Sequence, residues 1–345
     1  ENPPAVPGKG SSVFDLEYAG LGQHISLGAN PPTTMDAVMA KLRSTAAPAQ
    51  PGALPPFGTD LVFAKDSSWL IGAQFTVIDT VSIKAIFNDP DLYGVVLELS
   101  GEKAAVFAGL RFEILYRKVT DTIGVYHIEL KLPDAMRHLK FGEVSVTLPV
   151  VDLDIYTNGN FRVDFGFPKG LDFSSSFSVQ VFPFVGYGGF YFALLDGATS
   201  NRVPAITNGA FSPVIEFGLA LSIGVGKTID EGILSGGLSV TVVGILEGVL
   251  GWFNPTDSAP SEVYHWIKGT IAVTGRLYAS IDFAIIQASV DVTAYLSATL
   301  VIESHQPIYI SASASVSVRV SVKIIFFTIH LSFSATINAS FTIGS

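Results

Sequence analysis

The sequence contains no cysteine and little charge. Its 345 residues include 20 Lys and Arg and 30 Asp and Glu, so that 14% are charged whereas 48% are hydrophobic. Without cysteine, a disulfide scaffold or a cysteine-ligated zinc site is excluded. Disordered chains combine low hydrophobicity with high charge, which is the reverse of this composition. Nucleic-acid-binding proteins carry a basic patch, and none is visible, so we expect no nucleic-acid partner.

Proline and charge are unevenly distributed along the chain and predict three regions. Nine of the 19 prolines lie within residues 1–58, which we interpret as a proline-rich arm. Residues 173–345 hold 16 charged residues, whereas residues 1–172 hold 34. We therefore predict an antiparallel β region with a charged outer face at 59–200. A low-charge region of long strands follows at 201–345 and can be continuous with the preceding region.

The proline-rich arm contains one candidate helix, between Thr33 and Ser44. Thr33 or Thr34 would cap its amino terminus. Its spacing predicts that one apolar face comprises Met35, Val38, Met39 and Leu42.

Alternation of apolar and polar residues dominates from Leu61 onward and predicts β-strands. The longest alternating runs are Ile286–Ile302 and Ile310–Ile324. The second run would span roughly 50 Å, whereas typical strands have about five or six residues. We therefore predict an all-β fold, a large and mostly antiparallel sheet assembly of about fifteen to eighteen strands. It would form an elongated sandwich, groove or barrel, with at most one or two short helices.

Two hairpins can be assigned from the same alternation. Residues 110–117 and 126–132 predict an antiparallel hairpin with one face in water. In residues 150–167 the turn signal is Asn158-Gly159. The two strands agree in phase only with a three-residue loop, Asn158 to Asn160, or an equivalent bulge. That register places Asp154 opposite Asp164.

The acidic residues of this second hairpin are the strongest candidate for a metal site. Asp152, Asp154 and Asp164 would share one face, and oxygen-rich acidic sites suit Ca²⁺. The alternative is a solvated face on which Arg162 neutralises Asp154. The spacing does not match an EF-hand loop. We predict no other cofactor.

The sequence shows no recognisable catalytic motif, which favours a protein that is not an enzyme. No G-x-S-x-G elbow is present, and no two histidines have metal-binding helical spacing. Four aromatic residues flank the loop NPTDSAPSE: Trp252, Phe253, Tyr264 and Trp266. They could bind a sugar or a partner, but we favour the interpretation that they cap the end of a hydrophobic core.

The region from Phe141 to the end resembles one known family. The segments that carry the resemblance are FGEVSVTLPV at 141–150, IYTNGNFRVDFGFP at 155–168, GGFYFALL at 188–195, SPVIEFGLALSIGVG at 212–226, GILEGVLGWFNP at 244–255 and SFTIGS at 340–345. They are similar to the carboxy-terminal region of large β-rich, mainly bacterial proteins classed as a domain of unknown function. The resemblance implies that this chain is the end of a longer polypeptide, and it implies no catalytic residues.

We expect a non-enzymatic β-scaffold or assembly module of a larger protein or complex, because long apolar strands need protected edges. Its partners would be other protein subunits or the rest of a longer chain, at an extracellular or cell-surface location. A lipid or hydrophobic-ligand carrier is the alternative, in which the small residues Ala288, Ala312 and Ala314 leave room in an apolar groove or lumen. An outer-membrane β-barrel is a further alternative, and a glycan hydrolase comes last.

Overall fold

A computed structural model describes most of the chain, namely residues 14–27, 32–44, 61–65, 69–231, 234–257, 259–283, 286–324 and 327–343. Pairing links 18 strands into one large antiparallel sheet, and two further strands form a separate pair. The all-β prediction is therefore confirmed, including the long carboxy-terminal strands and two short helices. Of the predicted proline-rich arm, residues 1–13, 28–31 and 45–58 lie outside the described residues.

The elements are numbered in chain order. Their bounds are β1 Phe14–Gln23, β2 Ile25–Ser26, α1 Met35–Ser44, β3 Val62–Phe63, β4 Trp69–Val77, β5 Val81–Asn88, β6 Leu92–Leu99, a 3-10 helix Glu102–Phe107, β7 Arg111–Lys118, β8 Gly124–Lys131, α2 Asp134–Arg137, β9 His138–Phe141, β10 Val144–Thr147, β11 Val151–Tyr156, β12 Phe161–Phe165, β13 Phe177–Val181, β14 Phe184–Leu195, β15 Gly209–Glu231, β16 Leu234–Pro255, β17 Glu262–Phe283, β18 Ile286–Glu303, β19 Ile308–Ile324 and β20 Phe327–Ile343.

The chain divides into two compact units. The first comprises Glu1–His138 with Val150–Val163, and the second comprises Leu139–Pro149 with Asp164–Ser345. The regions expected from composition, 1–58, 59–200 and 201–345, stay a prediction. Each unit is described by itself below.

Helix α1 provides the core of the first unit. The predicted helix is present, and Thr34 Oγ1 accepts a hydrogen bond from the backbone N–H of Ala37 at 3.4 Å. All four residues of its predicted apolar face are buried. They pack against Leu70, Ile86, Leu92, Val96 and Leu115 of the sheet. Each fully buried side chain of this size contributes about 1.5–3 kcal/mol, so this packing holds α1 on the sheet.

The predicted hairpin of β7 and β8 is present, and its more exposed face is the one that carries Tyr126 and Leu130. The ladder pairs Phe112 with Leu130 and Glu113 with Glu129. Leu130 is exposed, whereas Glu113 is almost completely buried. The backbone N–H of Met35 donates to Glu113 Oε1 at 2.6 Å. The charged face is therefore the covered one, because α1 lies on it and its charges neutralise each other.

The hairpin after β11 closes with a three-residue loop, as predicted, but one residue earlier. The Tyr156 N–H donates to the Asn160 carbonyl at 2.9 Å, and the Gly159 N–H donates to the Tyr156 carbonyl at 3.0 Å. Gly159 has φ +90°, the left-handed conformation that such a three-residue loop requires. Counting back from the pair of Tyr156 and Asn160 places Arg162, rather than Asp164, opposite Asp154.

The second unit contains the long strands. They pair in the order β14-β15-β16-β17-β18-β19-β20, and β15 has 23 residues. The predicted runs at 286–302 and 310–324 correspond to β18 and β19, which pair from Ile286 with Ile324 to Val301 with Tyr309. Within the described residues of this unit, β20 forms a ladder only with β19. The sheet of this unit is therefore open at β20.

Candidate functional site

One face of the long-strand sheet is apolar. The cross-strand pairs of β14 to β20 place 28 positions of this face in four rows of seven. In strand order, the two outer rows are Phe190-Leu219-Leu246-Gly269-Leu300-Ile310-Phe341 and Phe184-Val225-Val240-Gly275-Ala294-Val316-Ala335. The two inner rows are Gly188-Leu221-Gly244-Ile271-Ala298-Ala312-Ala339 and Gly186-Ile223-Val242-Val273-Leu296-Ala314-Ile337. We call these 28 positions the apolar face.

Most of the bulky side chains of the apolar face are exposed in the part of the chain that the structure describes. Ile223 is 66% exposed, Ile271 62% and Ile337 74%. At about 4.8 Å by 6.8 Å per position, the 28 positions cover roughly 900 Å². The largest apolar patch on a typical monomer is about 300–600 Å². A surface of this size and composition indicates an interaction site.

The opposite face of the same strands is covered in part, on β15 to β17. Phe173 packs there with Ala220, Val243 and Ala272 in a buried cluster. Serine and threonine side chains of this face also hydrogen-bond across strands, as in the Thr270 and Thr299 hydroxyl pair at 3.1 Å. Thr270 and Thr299 are half-buried.

An arginine from a loop fixes part of this covered face. Arg202 Nη2 donates to Glu247 Oε1 at 3.0 Å, and its Nη1 donates to the Tyr191 hydroxyl at 2.7 Å. Its Nε lies 3.8 Å from Glu216 Oε2, and Ser200 donates to the other oxygen of Glu216 at 2.6 Å. Burial alone would lower the pKa of Arg202, but Tyr191 and the two carboxylates outweigh it and raise the pKa. This cluster anchors the loop that precedes β15.

The candidate aromatic cluster lies beside this anchor. Phe253 and Tyr264 pack against the buried Phe211, with ring centroids 5.4 and 5.9 Å apart. Trp266 lies under the guanidinium of Arg202 at 5.8 Å, and Trp252 is half-buried. These contacts favour the interpretation that the aromatic residues cap a core.

The candidate metal residues Asp152 and Asp154 lie on β11, opposite Glu129 and His127 of β8. Asp154 Oδ1 is 2.7 Å from Nδ1 of His127. One ligand atom each of His127, Glu129 and Asp152 lies within 4.8 Å of the others, so these three could hold a metal ion. Asp164 belongs to the second unit, where its Oδ1 accepts a hydrogen bond from the Phe167 N–H at 2.7 Å.

A protein cation already neutralises part of the acidic cluster. Arg111 Nε lies 3.4 Å from Glu129 Oε1, and its Nη2 lies 2.7 Å from Glu113 Oε2. A Ca²⁺ ion takes about six to eight oxygen ligands and would compete with this guanidinium. The geometry therefore favours a cluster that is neutralised internally, and Ca²⁺ binding by Asp152, Asp154 and Asp164 stays a prediction.

The His127 imidazole is a pH-sensitive member of this cluster. Burial opposes its charged form. The hydrogen bond to Asp154 and the charges of Asp154, Asp152 and Glu113 outweigh the burial and raise the pKa of His127. The imidazolium is therefore stabilised by the folded state.

We expect this shift to make the stability of the first unit pH-dependent. Because the pKa of His127 is higher in the folded state, its charged form contributes fully to stability below the unfolded-state pKa of about 6.5. That contribution is lost as the pH rises through the folded-state pKa of His127. Glutamine in His127→Gln keeps a hydrogen bond but does not titrate. The free energies of unfolding of the wild type and this variant, measured in urea, should therefore differ most at low pH and converge above the folded-state pKa of His127. A stability difference that is independent of pH would contradict the assignment.

The turn-rich segment before β15 forms an open cavity of about 520 Å³. Apolar and small residues such as Ile206, Ala210 and Phe211 line most of it. Asp196, the one titratable residue in its lining, accepts hydrogen bonds from the backbone N–H groups of Ala198 and Thr199. A single carboxylate used in a local turn does not amount to a catalytic arrangement.

Comparisons with known proteins give no family. No family model matches the chain, and neither the curated proteins nor the solved structures contain a match. The resemblance to a β-rich domain of unknown function thus stays an expectation. Among the described residues, no helix combines the length and the apolar character needed to cross a membrane.

Proposed function

We propose that this protein is a non-enzymatic β-scaffold, and that its long-strand sheet is an assembly module for a larger protein or complex. The observation that carries the proposal is the exposed apolar face, on which the described residues of β16 to β20 place no Asp, Glu, Lys or Arg. Its occupant would be other protein subunits or the rest of a longer chain.

The size of the apolar face supports a protein occupant. A standard interface buries about 800 Å² on each partner, and the apolar face covers roughly 900 Å² by strand geometry. The core of such interfaces is depleted in charge, as this face is. Part of the opposite face already packs within the unit, against Phe173 and the loop residue Arg202. That part therefore leaves less surface for a partner.

Lipid is the second candidate occupant, because a surface without charge also suits acyl chains. Ala312 and Ala314 belong to the apolar face, so a lipid would lie on the sheet rather than in a lumen between small residues. We do not propose the outer-membrane barrel, because the described part of the sheet is not closed.

The test is the mass of the chain in solution as a function of concentration, measured by sedimentation. We expect the wild type to associate and to bind the dye ANS. The double variant Val242→Lys with Leu296→Lys should associate at least about tenfold more weakly, because lysine ammonium groups lose hydration on burial. Ser289→Lys, at an exposed polar position of the same strand β18, is the matched control and should behave as the wild type.

Two results would count against this function. A wild-type chain that is monomeric at every concentration and does not bind ANS would overturn the assembly module. Mass spectrometry of the purified protein provides the second arm. Stoichiometric lipid, lost in the double variant but not in Ser289→Lys, would favour the lipid candidate.

A further inference from the structure

Strand β20 presents an open hydrogen-bonding edge. It pairs with β19 along its full length, from Ile308 with Ile343 to Ile324 with Phe327. All 16 residues from Thr328 to Ile343 are exposed. No other described strand of the second unit pairs with the outer edge of β20. Such an edge is a template for another extended strand, because its outward N–H and C=O groups can accept a new ladder.

The edge also lacks the features that keep sheet edges apart. No Asp, Glu, Lys or Arg follows Lys323, and β20 contains no proline. Proteins commonly protect open edges with charges, proline or bulges, and β20 pairs with β19 without a register shift. The chain carries a net charge of −10, so an uncharged strand is where two copies can meet with the least repulsion.

Because β20 alternates, any residue-centred antiparallel register with a second copy joins like with like, and an axis at its midpoint, Ala335, pairs all 17 residues. An antiparallel pair about a two-fold axis at Ala335 would join residues whose numbers sum to 670. Apolar residues then oppose apolar residues, and polar residues oppose polar ones. The apolar pairs are Phe333 with Ile337, Leu331 with Ala339 and Ile329 with Phe341, and the polar pairs are Ser334 with Thr336, Ser332 with Asn338, His330 with Ser340 and Thr328 with Thr342.

This register also makes the apolar face continuous between the copies. Residues directly opposite each other in a ladder lie on the same side of the sheet, and a slip by one residue would reverse every side chain. The apolar positions Phe341, Ala339 and Ile337 of β20 would therefore meet apolar positions of the second copy.

We propose that β20 pairs antiparallel with β20 of a second copy of this chain, about a two-fold axis at Ala335. The two long-strand sheets become one sheet. This pairing goes beyond the proposed function, because it adds a second contact to the one proposed for the apolar face. The contact surface is the strand edge rather than the apolar face, so separate variants can test the two ideas.

Cross-linking tests the geometry directly, because the chain has no cysteine of its own. Cβ atoms of directly opposite residues lie about 4.5–5.5 Å apart, close to disulfide distance. Under mild oxidation, we expect Ala335→Cys to form a covalent dimer at least about tenfold faster than Ser289→Cys. Ser289 is exposed on the face opposite the apolar face, and its strand is paired on both sides. Equal rates in the two variants would overturn the proposal.

Charge exchange tests whether the partner is a second copy. Ser334→Lys with Thr336→Lys, on the side of β20 opposite the apolar face, would place like charges opposite each other twice, as would Ser334→Glu with Thr336→Glu. We expect each double variant alone to dimerise about tenfold or more weakly than the wild type, and an equimolar mixture to recover dimers. Circular dichroism should show unchanged strand content, because both positions are exposed. Failure of the mixture to recover dimers would overturn the proposal.

The two proposals can fail separately. If the β20 variants associate as the wild type does while Val242→Lys with Leu296→Lys does not, self-pairing is wrong and the assembly module stands. If only the β20 variants lose association, self-pairing stands without the apolar face. A monomer that floats with phosphatidylcholine vesicles would overturn self-pairing and favour a lipid occupant.

Discussion

Replacing Arg111 with methionine is expected to lower the free energy of unfolding of the first unit by about 3–5 kcal/mol. The guanidinium contacts Glu113 at 2.7 Å and Asp36 at 2.8 Å. Glu113 has a side-chain exposure of only 1%. Without Arg111 this carboxylate would be left buried without its counter-ion, which accounts for most of the expected loss.

The loss should be concentrated at helix α1. Asp36 lies in the first turn of α1, and the N–H of Met35 donates to the same Glu113. Burial opposes the charge of Arg111, but its hydrogen bond to Glu113 and the charge of Asp36 keep its pKa above the ordinary value. Arg111 therefore stays charged at all working pH values and holds α1 to the sheet.

Urea unfolding and hydrogen exchange of the α1 amides provide the measurement. Lys118→Met is the control, because Lys118 pairs with the fully exposed Asp121 and should change little. The double variant Arg111→Met with Glu113→Gln should recover part of the loss, since glutamine can still accept from Met35 without a buried charge. If Arg111→Met were as stable as Lys118→Met, the ion pairs of Arg111 with Glu113 and Asp36 would not stabilise the first unit.

The elements of the fold could be predicted because their signals are local. The spacing of Met35, Val38, Met39 and Leu42 defines a helical face, and the alternation in 310–324 defines a strand, whatever packs on them. The loop of the hairpin after β11 could be predicted only in part. Matching the apolar faces of the two strands gave the number of loop residues, but the start of the loop at Thr157 depends on the hydrogen bond from the Tyr156 N–H to the Asn160 carbonyl.

The covered face of each sheet could not be predicted, because alternation is symmetric. It separates two faces and does not say which one other segments will cover. Charged residues are mostly exposed in proteins, yet the charged face of β7 and β8 is the covered one. It is covered because Arg111 neutralises several carboxylates at once, which is a long-range arrangement.

The candidate site depends on the same question of which face is covered. The alternation predicted one apolar side for each long strand, and in the structure the bulky residues of that side are mostly exposed. The signal that was missed is Arg202, one of only six basic residues after position 172. An isolated arginine in a low-charge region is a reason to look for carboxylates such as Glu216 and Glu247, although sequence alone does not bring the three together.

Replacing Arg202 with methionine should lower the free energy of unfolding of the second unit by about 3 kcal/mol. Glu216 is 2% exposed, and the change removes the guanidinium whose Nε lies 3.8 Å from its Oε2. Breaking a buried pair from one side leaves an uncompensated charge, with a loss of about 3–5 kcal/mol. We expect the lower value because 30% of the Arg202 side chain is exposed.

Arg276→Met is the matched control. Arg276 also contacts a carboxylate, Asp291, at 2.7 Å and an aromatic ring, Tyr278, at 5.2 Å. Its side chain is half-exposed, so water can replace those contacts and the stability should change little. Urea unfolding followed by tryptophan fluorescence, with Trp266 under Arg202, would compare the two. Equal effects would contradict the importance of burial at Arg202.

The Arg202 variant also separates the two faces of the long-strand sheet. Its cluster lies on the covered face, whereas assembly is proposed for the apolar face and for the edge of β20. Below its unfolding transition, Arg202→Met should therefore associate as the wild type does, while Val242→Lys with Leu296→Lys should be stable but associate weakly. If Arg202→Met lost association while still folded, the loop on the covered face would have to contribute to assembly, and the assignment of the interface to the apolar face would be wrong.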